Sequence, residues 1–436
     1  MEMSVTSRST MKRVAAATAG VAIAITAAGC GTAKESGGGS SGNELTLWTH
    51  NAGNPEELAV VQQIVKDYNA SQQKYQVKVQ AFPQESYNSS VVAAATSKKL
   101  PCLLDTDAPN VPNWAFANYL RPLDLPASLT DKQLKSTLGT YKNKLYAIGY
   151  YDAALAIFAR KSAITSVGGR VPTIEKPWTA EEFKTTLTKL KAAGKYPIAF
   201  DLGTGDSGTE WWSYGYSPFL QSFGGDMINR ETFKTAKGAL NGPEAIAWGQ
   251  WLQGLVKGGY SPAKSGPDAF ADFVNGKSAM VWSGIWNSGN LSKLGADGVM
   301  LPPPDLGKGP KIGGGSWQWA ISATCDKPEA ALDYLKFSLD KKYLVAMAQK
   351  QNVIPATEEA AAALPDWAPG GAKRFFLEES KKFATMRPAT PGYPYLTSTF
   401  AKATQDIVAG GDVKAILDQA AADIDSNLSS NNYYGF

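Results

Sequence analysis

Between residues 44 and 107 the chain alternates strand and helix signals without a break. That order constrains the fold more than any other feature. Glu44-Leu-Thr-Leu-Trp-Thr49 places Leu45 and Leu47 on one side, the two-residue period of a strand. Asn54-Pro55 opens a helix, and Leu58, Val61, Val65 and Tyr68 form its apolar stripe. Tyr75 to Gln80 alternates again, and a helical stretch runs from about Tyr87 to Ser97. The apolar run Cys102-Leu103-Leu104 then ends in Asp105-Thr106-Asp107. Strand, helix, strand, helix, strand points to an α/β unit with a mainly parallel sheet. In such sheets ligands sit beyond the carboxyl ends of the strands. Trp48-Thr49-His50-Asn51 and Asp105-Thr106-Asp107 occupy those positions here.

The middle of the chain reads as a second α/β unit. Apolar runs Leu145–Ile148 and Leu155–Phe158 flank Gly149-Tyr150-Tyr151-Asp152. Thr179 with Glu182 three residues on has the spacing of a capping box. Pro197-Ile-Ala-Phe200 is a short strand, followed by a Gly/Asp loop from Asp201 to Gly208 and the aromatic cluster Trp211, Trp212, Tyr214 and Tyr216. A helix end at Asn275-Gly276 leads into a strand from Ser278 to Trp282 and a turn carrying Trp286. Gly313-Gly-Gly315-Ser316-Trp317 precedes another apolar strand, and residues 327–436 are mostly helical in pattern.

The N-terminus reads as an address. Arg8, Lys12 and Arg13 precede the uncharged run Val14–Ala28, which is shorter than the ~20 residues a spanning helix needs. It ends Ala27-Ala28-Gly29-Cys30, small residues before a cysteine, and resembles a bacterial lipobox in which Cys30 becomes the lipidated first residue. Cleavage nearby by an ordinary signal peptidase, with Cys30 incidental, is the alternative. Residues 31–43 are a Gly/Ser-rich tether. An exported, oxidising setting leaves Cys102 and Cys325 as a disulfide or as two buried thiols.

Composition removes several function classes. With 43 basic and 39 acidic residues the charge is too balanced for nucleic-acid binding. A single histidine, His50, argues against a His-rich zinc site and makes any Ser-His-Asp or Cys-His mechanism depend on that one residue. No Gly-Lys-Ser/Thr follows the Gly313–Gly315 run, and no Gly-x-Gly-x-x-Gly opens a helix, so no nucleotide cofactor and no metal is expected.

Tryptophan carries the main signal. Trp48, Trp211, Trp286 and Trp317 each lie next to Gly, Ser, Asn or Asp, in positions read as loops or strand ends. A pyranose has an apolar C–H face and a rim of hydroxyls. An indole supplies the platform, while carboxylates, amides and Arg supply the rim. Asp105, Asp107, Asp152, Asp201 and Asp206 are candidate hydroxyl acceptors or turn residues, and Arg387 is a candidate rim donor or a surface ion pair.

Taken in order, these pieces resemble the extracellular solute-binding proteins (family 1) of ATP-binding-cassette sugar importers, in their actinobacterial lipoprotein form. The matching segments are LTLWTH at 45–50, LLDTDAPNVPNW at 103–114, YAIGYYDAALAIFARKS at 146–162, PWTAEEF at 177–183, SPFLQSFGGDMIN at 217–229, FVNGKSAMVWSGIW at 273–286, GGGSW at 313–317 and MRPATPGY at 386–393. The resemblance implies two α/β lobes with a ligand cleft between them, as in periplasmic binding proteins. The expected division is a signal peptide at 1–29 and a lipidated, tethered segment at 30–43. The N-terminal lobe then takes 44–149 plus 286–335, and the C-terminal lobe 150–285 plus 336–436. Carried over by position, the ligand contacts are Trp48, Asn51, Asp105, Asp107, Tyr151, Asp152, Trp211, Trp286, Gly314, Trp317 and Arg387. Pro101-Cys102 departs from the family's Pro-Asp and favours a lineage-specific Cys102–Cys325 bond.

The implied protein is a monomer without catalysis. It would be anchored by lipid to the outer face of the cell membrane, capture an oligosaccharide by hinge closure, and deliver it to the transmembrane subunits of an ABC permease. Two rivals remain: a secreted glycoside hydrolase or lyase, and a binding protein for a non-sugar solute.

Overall fold

A computed structural model describes residues 42–205 and 208–436. The signal segment and Cys30, together with Asp206, lie outside the described residues. The first sheet begins as the alternation requires: β1 (Glu44–Thr49), α1 (Pro55–Ser71), β2 (Gln76–Ala81), α2 (Gln84–Thr96) and β3 (Leu103–Asp107). Asn54 caps α1 by accepting from the Glu57 amide at 3.3 Å, with Pro55 at the first helical position. The helix buries Val60, Val61, Ile64, Val65 and Tyr68 against the sheet. After α3 (Val111–Phe116), β4 (Leu138–Tyr141) and β5 (Lys144–Gly149) complete the edge.

The chain crosses at β6 (Tyr151–Asp152) and enters a second sheet through β7 (Leu155–Arg160). There α4 (Ala180–Ala193) starts with the Thr179–Glu182 capping box and leads to β8 (Ile198–Asp201). α5 (Thr209–Phe223), α6 (Pro243–Lys257), β9 (Ser278–Gly284) and β10 (Gly298–Leu301) follow. The return runs through β11 (Ile312–Gly314), β12 (Trp317–Ile321), α7 (Lys341–Gln351) and β13 (Ile354–Pro355). It closes with α8 (Arg374–Phe383), β14 (Ala384–Met386), α9 (Tyr393–Val408) and α10 (Val413–Ser430).

The first sheet has the order β2-β1-β3-β12-β5-β4, parallel from β2 to β3 and antiparallel from β12 onward. The second has the order β10-β7-β9-β8, with only β8 and β9 parallel. β3, β9 and β12 are buried along their whole length, the pattern of strands covered on both faces. Two separate cores result. One gathers Leu47, Ile64, Leu104, Trp319 and Tyr334, and the other Phe158, Leu187, Phe200, Trp248 and Phe400. Cys102, just before β3, is bonded to Cys325, just after β12. Among the described residues no helix is long and apolar enough to cross a membrane.

The two lobes share the chain differently from the expected division. Within 286–335, β10 pairs antiparallel with β7, and Val299 and Met300 pack on the second core. Only from Trp317 does this stretch rejoin the first sheet. Conversely α7, expected in the second lobe, puts Tyr343, Leu344 and Met347 into the first core, and the Tyr343 hydroxyl donates to Asp67 of α1 at 3.0 Å. An apolar strand can complete either sheet, so pairing across more than a hundred residues decided both cases.

Candidate functional site

A cleft of about 1180 Å³ opens between the two cores. Its first-lobe wall is one face of α2, with Gln84, Glu85, Asn88, Ser89 and Val92, joined by Asp107, Asn110, Asn113 and Trp114. Those α2 positions recur at helical spacing, so amides and a hydroxyl line up on one side. The opposite wall carries Glu210, Trp211, Tyr214, Trp286, Thr397 and Ser398. Gly315, Ser316, Trp317 and Arg387 come from the crossing segments.

The aromatic wall is held by local backbone choices. Trp286 sits in the short turn after β9 with 44% of its surface exposed. Its ring folds back over Gly284, where any Cβ would overlap it. Trp211 stands edge to face with Trp286, centroids 6.4 Å apart at 75°. Its indole N–H donates to the Gly203 carbonyl at 3.0 Å, leaving ring surface rather than a donor for a ligand. Trp211 belongs to the first turn of α5, not to a loop, and Gly215 one turn on leaves bare backbone beside its ring.

Arg387 joins the walls. Its two terminal nitrogens donate to both Asp107 oxygens at 3.0 Å, and the same guanidinium donates to Glu210. Asp107 ends β3 in the first lobe, whereas Glu210 lies in the first turn of α5 in the second. Glu210 also accepts from the Tyr393 hydroxyl at 2.5 Å and from Thr397 at 3.3 Å. The guanidinium lies 5.0 Å from the Tyr214 ring centroid. Burial opposes its charge, but Asp107 and Glu210 outweigh that and raise its pKa, so it stays a cation. This is a buried, bidentate pair rather than the surface ion pair of the alternative reading.

A family match decides what such a cleft belongs to: the bacterial extracellular solute-binding proteins match over residues 63–373. The chain belongs to this family. Similar proteins include an uncharacterized lipoprotein from the oleD 5′ region of Streptomyces antibioticus, 22% identical over 78% of this chain and 77% of its own length. The diacetylchitobiose binding protein DasA of Streptomyces coelicolor is 23% identical over 80% and 83%. In fold, the chain is similar to the cyclic alpha-maltosyl-1,6-maltose binding protein of Arthrobacter globiformis, with TM-score 0.74, 22% identity and 89% and 99% coverage. The two-lobe architecture is thus shared with solved sugar-binding proteins.

Within this solute-binding protein, Asp107, Trp211, Trp286, Trp317 and Arg387 come together at the cleft. The other expected contacts do not line it. Trp48 packs on Phe82 with centroids 4.6 Å apart, because its outward position on β1 faces the β2–α2 turn. Asn51 is buried beside Thr49 and His50. Asp105 is fully buried and bonds His50 and Thr49. Tyr151 is buried in the first core. Gly314 pairs with Met386 in a two-stranded ribbon, and its neighbour Gly315 lines the cleft instead.

Asp152 works as a bracket rather than a ligand contact. It accepts from the amides of Ala153 at 2.8 Å and Gly315 at 3.0 Å, from Ser136 at 2.7 Å and from Ser380 at 3.2 Å. These partners come from four separate stretches of chain near the crossings. Burial pushes the Asp152 carboxyl up, and its four donors pull it back down in part. Asp201 likewise stays internal, accepting from Ser265 and from the Gly203 amide at 2.9 Å.

The sequence marks Tyr214 as part of an aromatic cluster but assigns neither it, nor Glu210, nor the α2 face to the ligand contacts. Glu210 directly precedes Trp211-Trp212, and Gln84, Asn88 and Ser89 share one helical face. Both signals are on the chain, but each also describes an ordinary helix start or a solvated helix face.

Proposed function

We propose that this solute-binding protein captures an oligosaccharide in the cleft and passes it unaltered to an ABC permease. One observation carries the reading: an indole wall formed by exposed Trp286 and half-buried Trp211 faces a wall of amides and a hydroxyl on α2. Sugar rings offer an apolar face and a polar rim, and the two walls supply one of each. The volume accommodates more than one ring, and the names of DasA and the Arthrobacter protein, each a binder of a multi-ring sugar, support the same class. Stacking on the second lobe followed by hinge closure brings up the α2 rim and excludes water. Ligand favours closure only by its preference for the closed state.

Of the three carboxylates that line the cleft, Glu85, Asp107 and Glu210, the last two are held in one ion-pair network rather than set as an acid–base pair. Both Asp107 oxygens are bound by Arg387, and Glu210 is shared between Arg387, Tyr393 and Thr397. Lipidation at Cys30, with the protein tethered outside the cell as a monomer, fits the export segment and the similar Streptomyces lipoprotein. The test is a melting screen with malto-, chito-, cello- and xylo-oligosaccharides, with product analysis on every mixture. A rise in melting temperature with intact sugar is expected. Cleavage of any sugar, or no shift with any, overturns the reading.

A further inference from the structure

His50 is the only histidine in the chain, and it does not line the cleft. It lies beneath a residue that does. Its ring stacks on the Trp317 indole with centroids 3.6 Å apart and planes 7° apart. Nδ1 is 2.5 Å from an Asp105 carboxylate oxygen. Nε2 is 3.8 Å from a Glu57 oxygen and 3.1 Å from the end of the Asn51 side-chain amide, which accepts from a protonated Nε2 through its oxygen once the amide is turned over. The imidazole is 4% exposed, so this is a desolvated cluster. Among the described residues the titratable groups set against it are few. α1 supplies Glu57, β3 supplies Asp105 with Asp107 beyond, and α2 supplies Tyr87, whose ring centre is 6.4 Å away. The β5–β6 junction supplies Tyr150 and Tyr151, whose hydroxyls bond Glu57. No lysine or arginine is among these groups, but Asp107 is itself neutralised by the Arg387 guanidinium.

We propose that the imidazolium of His50, clasped by Asp105 and backed by Glu57, is the positioning residue for the Trp317 platform, so that cleft affinity follows the proton on this one ring. The binding part rests on the oligosaccharide reading above. The mechanism is local. A desolvated cation held parallel to an indole is attracted by the ring quadrupole, and its neutral form much less so. One oxygen of Asp105 is already buried without a partner, so losing the imidazolium removes that carboxylate's main counter-charge.

The sign follows from the same geometry. Burial alone would lower the His50 pKa, but Asp105 first and Glu57 second outweigh it and raise it above 6.5. Burial also pushes the Glu57 carboxyl up, which leaves Asp105 as the principal partner. The cation is therefore complete at low pH and is lost as pH rises through the raised value. Affinity should be highest on the acid side and fall above it.

The first test needs no ligand. One histidine gives one Hε1 signal in a ¹H–¹³C spectrum of the full chain. The Trp317 indole N–H is identified by its absence in Trp317→Phe. The expected result is a His50 midpoint above 6.5, with the Trp317 signal moving at the same midpoint and staying still in His50→Gln. A midpoint below 6.5, or a Trp317 signal indifferent to it, overturns the proposal. The second test titrates maltotriose and N,N′-diacetylchitobiose by calorimetry at pH 6 and pH 9. Binding about fivefold weaker at pH 9, with a flat profile in His50→Gln, is expected for whichever sugar binds. Equal affinity at both pH values in the wild type overturns the proposal while leaving sugar capture intact. Failure of every oligosaccharide in the melting screen overturns sugar capture, and the spectra still decide the role of His50.

Discussion

Replacing Trp286 by alanine should weaken sugar binding far more than it weakens the fold. The residue is 44% exposed, which leaves roughly 110 Å² of a tryptophan surface of ~250 Å² open to solvent. A sugar ring covering about half of that patch, and losing an equal area of its own, removes roughly 110 Å² from water. At ~25 cal/mol per Å² this amounts to about 2.8 kcal/mol as an upper figure. Ordering the ligand opposes part of it, and about 1.5–2 kcal/mol should remain, a ten- to thirtyfold rise in Kd. The fold depends less on this ring, whose intramolecular contacts are rim-like packing against Trp211 and Tyr214. Its melting temperature should therefore move by no more than about 3 °C. Calorimetry with maltotriose and N,N′-diacetylchitobiose, alongside a melting curve of the free protein, reads both quantities. An unchanged Kd for a sugar that binds the wild type would refute the stacking argument. A large fall in melting temperature would refute the claim that this indole is exposed for binding.

Three further outcomes follow from the same geometry. Gly284→Ala should reproduce most of the Trp286→Ala affinity loss with the indole still present, because the new Cβ occupies the ring's place; wild-type affinity would show that the ring does not rest on Gly284. Arg387→Met should destabilise the protein by about 3 kcal/mol in urea unfolding, since Asp107 is left buried without its bidentate partner, and a change near zero would contradict a supporting role for that pair. Reducing the Cys102–Cys325 bond, which joins residues 223 apart in sequence, should lower stability by roughly 2–5 kcal/mol, seen as an earlier melt with a reductant; an unmoved melt would mean the link adds nothing.

How far these features could be read from the sequence depends on how local their causes are. The β1-α1-β2-α2-β3 order was legible because β1, α1 and β2 carry their own periods and α1 its own cap at Asn54; the Thr179 capping box did the same for α4 in the second lobe. Trp286 stood out because its place at a strand end leaves it exposed, whereas Trp317, marked by the same signal, reaches the cleft with only 9% of its surface open. Trp48 shows the limit, since the same strand-end signal describes a residue packed on Phe82. Trp211 was expected in a loop, because the Gly/Asp stretch before it hides where α5 begins.

Partners distant in sequence were not legible at all. Nothing near Arg387 announces Asp107, 280 residues away, and nothing near His50 announces Trp317 or Asp105. The exchange of β10 and α7 between lobes has the same cause: an apolar strand or stripe declares that it will be covered, but not by which sheet.

The most direct test of sugar capture is a crystal structure grown with the oligosaccharide that raises the melting temperature most. An intact sugar is expected between the α2 face and the Trp211–Trp286 wall, with ring faces on the indoles and hydroxyls toward Gln84, Asn88 and Asp107. Density for that sugar elsewhere on the molecule, or a cleaved product in the cleft, would contradict it.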